Sequence, residues 1–204
     1  GTATKPSDLS FWVLASAMEK QGEVYHYTGQ CPVDLDVFVA EPAGSEPETG
    51  KYGHRQEPYR RLTGFDPKYF PGGKLGEEQL LLRMKQAPGQ GYLTVLYPRL
   101  KEDDPPARFT RLSSSAVQVT TALSTDTIFM QAYPDSWTFD GGSYQGQAGV
   151  VRRYADGHVT LTHSGGPGKF TLGEQTYEGP KPFVITIKDG QATQTQYEPQ
   201  LPAP

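Results

Sequence analysis

Four histidines, a strand-spaced pair of aspartates and a run of arginines and tyrosines are the side chains here that could carry chemistry. His54 stands in Tyr52-Gly53-His54-Arg55, within a basic stretch, and is a candidate general base or substrate contact. Around it lie Arg55, Tyr59, Arg60, Arg61 and Tyr69. Guanidinium forks pair with carboxylates or sulfates, and tyrosine rings stack on sugar faces or pack on arginine. These six residues form a weak candidate set for binding an anionic polysaccharide. The competing reading is that the charges are solvated and the rings close the segment over the fold.

The remaining candidates read as structural. His26 lies between Tyr25 and Tyr27 in an alternating segment. His158 and His163, five apart on one expected strand, point to opposite faces and cannot share a metal. All three are expected to be surface or packed strand histidines. Asp34 and Asp36 share one face, about 7 Å apart along a strand. Paired carboxylates invite glycoside hydrolysis, but acids at period two are also the common product of an exposed face, which is the reading adopted here. Cys31 is the single cysteine, so no intrachain disulfide forms, and a buried or half-buried thiol is expected. No Gly-x-Ser-x-Gly elbow and no His-Glu-x-x-His motif occurs, and the glycine-rich runs lack the strand-then-helix setting of a phosphate loop. No catalytic residue, metal or cofactor is assigned.

The elements that must position these residues are strands. Gly and Pro together make 41 of 204 residues, high for a helical protein, and 23 aromatics are enough to pack sheets. Val33, Leu35, Val37 and Val39 sit two apart, as do Leu80, Leu82 and Met84, with Leu81, Arg83 and Lys85 opposite. Further strands are read at 23–28, 92–97, 117–121, 127–132, 148–154, 158–163, 169–172, 183–187 and 192–197. The segment 11–17 is ambiguous between a strand and a short turn of helix. Asp156-Gly157 and Asp189-Gly190 mark tight hairpins, because both residue types tolerate positive φ. Strands about ten residues apart without intervening helices predict an antiparallel β-sandwich with less than about 10% helix. Val33, Leu35, Val37, Leu80, Leu82, Val150 and Ile185 are expected to face its core. We read residues 1–204 as one such domain, with residues 1–8 a linker, belonging to a larger protein.

One stretch departs from this pattern. Residues 41–76 are long, rich in Pro and Gly, and lack clean alternation. Over 51–74, six basic residues stand against two acidic ones, a net +4 within a chain of −4. Loops of this length in a compact domain are usually functional or disordered, and the interleaved aromatics argue for an ordered one. The stretch is read as an ordered excursion between two strands, with a short strand near 59–62. The overall charge argues against a general nucleic-acid partner, and no apolar run is long enough to span a membrane.

Three stretches carry a family resemblance. Phe11-Trp12-Val13-Leu14-Ala15, followed by Gly29-Gln30-Cys31-Pro32-Val33-Asp34-Leu35-Asp36-Val37-Phe38 and ending at Glu41-Pro42, resembles the late β-region of heparinase II/III-like polysaccharide lyases. Gly91-Tyr92-Leu93-Thr94-Val95-Leu96-Tyr97-Pro98 and the segment from Tyr144 to Arg152 are similar to the same region. Such lyases join an α/α toroid to β-sandwich sheets and cleave uronate chains by β-elimination. The family's catalytic Tyr and His belong to the toroid and the first β-segment, which have no counterpart here, so none is carried over. The resemblance implies a non-catalytic C-terminal β-sandwich that supports an upstream toroid and lines an acidic-polysaccharide groove, in a periplasmic or secreted protein. The alternatives are a stand-alone carbohydrate-binding module or a small β-sandwich lyase.

Overall fold

The computed structural model describes residues 7–51, 78–86, 91–102 and 105–196. All sixteen elements among them are antiparallel strands, and no helix occurs among the described residues. None is therefore a helix long and apolar enough to cross a membrane. The chain divides into two compact units, Gly1–Pro106 and Ala107–Pro204.

The first unit is a two-sheet sandwich. One sheet has the order β1-β6-β5, built from β1 (Ser7–Ala15), β5 (Glu48–Lys51) and β6 (Glu78–Gln86). The other has the order β2-β3-β4-β7, from β2 (Ala17–Gln21), β3 (Val24–Thr28), β4 (Val33–Glu41) and β7 (Leu93–Leu100). Their facing residues make one core. Ala15, Leu80, Leu82 and Met84 from the first sheet meet Tyr25, Tyr27, Val37 and Val39 from the second. Alternation decides which side chains enter it: Leu9, Phe11 and Val13 pack inward, whereas Trp12 and Leu14 are exposed. The ambiguous segment 11–17 is thus strand to Ala15, and β2 begins after a bend at Ser16. Strand β5, fully exposed and polar, lies within the stretch read as a loop. The proposed short strand near 59–62 falls outside the described residues.

The second unit is a nine-stranded antiparallel sheet. Its main path is β16-β15-β12-β11-β10-β9-β8, and the hairpin β13-β14 branches from β11. The strands are β8 (Arg108–Ser113), β9 (Ala116–Thr120), β10 (Ser124–Phe139), β11 (Gly142–Tyr154), β12 (Val159–Ser164), β13 (Gly168–Leu172), β14 (Gln175–Gly179), β15 (Phe183–Lys188) and β16 (Gln191–Gln196). Strand β11 is shared: Gly142–Gln145 pair with β13, and Ala148–Arg153 pair with β12. Opposite its midpoint, Gln131–Pro134 of β10 bulge out between Met130 and Asp135. The buried set is Ala116, Phe129, Tyr144, Val151, Val159, Leu161, Phe170, Phe183 and Ile185. Trp137, Tyr144 and Phe170 stack face to face, with centroids 5.5 and 4.4 Å apart. The two predicted tight turns are present, with Gly157 at φ 90° and Asp189-Gly190 at 51° and 74°.

Two of the expected core residues are placed differently. Val33 is 42% exposed, because β3 pairs with β4 only over Leu35–Phe38 and leaves the start of β4 without that neighbour. Val150 is half-buried, and Val151 takes the core position. The bulge opposite Gln147 shifts the phase of β11, so buried Tyr144 and Gly146 give way to buried Gly149 and Val151. Leu35 is half-buried against the core, while Val37, Leu80, Leu82 and Ile185 lie within it.

Candidate functional site

The residues read from the sequence as the binding set, His54, Arg55, Tyr59, Arg60, Arg61 and Tyr69, lie outside the described residues. Within the first unit, the candidate chemistry gathers on β3, β4 and β7. Strand β4 is central, flanked by β3 and β7, and buries both of its faces from Asp34 to Ala40 apart from half-buried Leu35. Val37 and Val39 fill the core on one side, while Asp34, Asp36, Phe38 and Ala40 are buried on the other.

Asp34 and Asp36 are therefore not surface acids. Asp36 is completely buried and Asp34 is 6% exposed. The alternation of acids and aliphatics, read as solvent-out and core-in, instead separates a charged layer from an apolar one. Burying carboxylates is costly unless cations and hydrogen bonds compensate them, and the strand register supplies both. Asp34 lies opposite Arg99, and His26 opposite Asp36. The Arg99 Nε–H donates to Asp36 Oδ2 at 3.2 Å, and its Nη2 lies 3.5 Å from Asp34 Oδ2. His26 Nδ1 sits 2.8 Å from Asp36 Oδ1. Lys101 Nζ is 3.4 Å from Asp34 Oδ1 and donates to the carbonyl of Gly29. The Lys101 contact has the distance of an ion pair but not the geometry of a hydrogen bond, and Asp34 Oδ1 accepts none. Two carboxylates thus meet two cationic side chains, one from β7 and one just past its end. Nearby, Tyr27 is buried with its hydroxyl unbonded, and burial pushes its pKa up to about 12.

In the second unit the histidines are also tied into the fold. His163 is 1% exposed. Its Nε2–H donates to the Gly166 carbonyl at 2.6 Å, and its Nδ1 lies 2.8 Å from the Tyr144 hydroxyl. That hydroxyl also donates to the Ala148 carbonyl at 2.7 Å, and burial holds its pKa far above the usual phenol range. His158 is half-buried and stacks on Tyr154 with centroids 3.7 Å apart, while its Nδ1 lies 2.5 Å from Asp156 Oδ1. The hydrogen bonds from His158 hold the exposed Asp156 carboxyl below its usual range. His163 lies within β12 and is enclosed, whereas half-exposed His158, expected on the same strand, precedes it. Asp126 receives Arg152 bidentately, at 2.8 Å to Oδ1 and 2.5 Å to Oδ2, and this carboxylate raises the guanidinium pKa further.

The sequence reading missed the Asp34–Asp36–Arg99–Lys101 layer. The usable signal was Arg99 on β7 and Lys101 just past its end, also two apart; antiparallel pairing sets Arg99 opposite Asp34 and diagonal to Asp36, and Lys101 diagonal to Asp34. Each of these groups is committed to an internal partner, so the arrangement fixes register and neutralises buried charge. Comparisons with family models, curated proteins and solved structures find no match.

Proposed function

We propose that the chain is a non-catalytic β-sandwich region of a heparinase II/III-like polysaccharide lyase, supporting an upstream α/α toroid and bordering an acidic-polysaccharide groove. The observation that carries this reading is the internal neutralisation of Asp34 and Asp36 by Arg99 and Lys101. A carboxylate working as an acid or base needs access to substrate, whereas Asp36 has both oxygens occupied and no exposed surface. The resemblance adds support, because its residues fall on β1, β4, β7 and β11, of which β1, β4 and β11 contribute side chains to the two cores. Periplasmic or secreted placement follows from the same resemblance.

A structural role for the acids is tested by Asp36→Asn. The change keeps the shape, removes one charge and leaves Arg99 under-compensated. Breaking a buried pair on one side costs about 3–5 kcal/mol. Denaturant unfolding should show a loss of that order. An unmoved midpoint would remove the charged layer from the account of this unit.

A further inference from the structure

The second unit holds a groove of about 680 Å³ over the junction of β10, β11, β13 and β14. That volume is within the range of small-molecule sites, about 300–1,000 Å³. Its floor is backbone at Gly146 and Gly168, both buried. A Cβ at Gly146 would lie 2.2 Å from the Tyr144 hydroxyl, and one at Gly168 2.2 Å from the His163 ring. The main chain therefore rests directly on these two rings, and only glycine fits at either point. The His163 bond to Gly166 also anchors the turn that carries Pro167 into the wall. The groove is thus preformed on strands and hydrogen-bonded turns, and little ordering cost falls on binding.

The lining has two kinds of surface. Pro134, Pro167 and Pro180 present apolar ring faces and, lacking N–H groups, leave this rim poorly suited to the addition of a peptide strand. Between them stand Asp135, Gln145, Lys169 and Glu178. Lys169 and Glu178 are 3.8 Å apart, too far for a hydrogen bond, so each keeps capacity for a ligand. Asp135 Oδ1 accepts from the N–H of Ser136, and exposed Gln145 offers both a donor and an acceptor. One cation stands against two carboxylates, a balance that disfavours a polyanion.

From these features we infer that the groove is a binding site for a neutral oligosaccharide, whose CH faces lie on the prolines and whose hydroxyls meet the four polar side chains. Flat apolar faces alternating with mixed donors and acceptors match the alternating faces of a pyranose chain. Occupancy of the groove does not depend on the supporting role proposed above.

The test is an NMR titration of the full chain with cellohexaose, xylohexaose and mannohexaose, and with hexagalacturonate as the anionic control. At least one neutral hexamer should move the Gln145 side-chain amide and the Gly146 and Gly168 signals saturably, with Kd of ~1 mM. The double variant Gln145→Ala, Glu178→Ala alters two exposed side chains and should weaken that binding about tenfold or more, with the remaining spectrum unchanged. No saturable movement with any neutral hexamer at ~10 mM would overturn the inference. So would groove signals that move as strongly with hexagalacturonate, or binding that survives in the double variant.

Discussion

Tyr27 shows what a single residue contributes when the sheets close over it. Its ring fills the core of the first unit, and its hydroxyl is buried without a partner. The neutral phenol is tolerated there, but the phenolate is not. Folded Tyr27 therefore ionises near pH 12, against about 10 for the unfolded side chain. The sign follows from linkage. Below pH 10 both states hold the proton and the contribution is whole; between pH 10 and about 12 the unfolded state releases it first and stability falls. Thermal unfolding followed across that window should decline more steeply for the native sequence than for Tyr27→Phe. Parallel declines would mean that Tyr27 is hydrated in the folded chain.

At the scale of elements, the strands legible in the sequence were those with one wet and one dry face. Leu80, Leu82 and Met84 entered the core as their spacing predicted; opposite them Lys85 is exposed and Arg83 half-buried, but Leu81 is buried as well. Leu82 is fully buried, and Leu82→Ala should cost about 2–5 kcal/mol, while half-buried Leu35→Ala should cost less. Equal costs in denaturant unfolding would place the core boundary elsewhere. The Asp-Gly turns were legible because their chemistry is local. Strand β4 was misread because a central strand with two covered faces has no solvent side for alternation to report. β5 and β14 were missed because both are largely exposed and polar, so their pairing leaves no hydrophobic pattern. The phase change in β11 depends on a bulge in β10, a partner strand that the sequence of β11 does not announce.

For the whole molecule, the legible part was the class: antiparallel strands throughout, with no helix among the described residues. Two separate cores, one per unit, carry the stability. The candidate site was only partly legible. The six residues of the basic segment lie outside the described residues, and the acids that looked solvent-facing form a buried, neutralised layer. A buried layer of this kind serves register and folding.

The most direct test of that account is an ultraviolet assay for β-elimination, which converts a uronate into an unsaturated, absorbing product. The purified chain, incubated with heparin-like and alginate-like polysaccharides, should generate no absorbing product above the protein-free control. Product that accumulates with the native chain and is lost in His54→Ala or Tyr59→Phe would contradict the supporting role and make this chain a lyase in its own right.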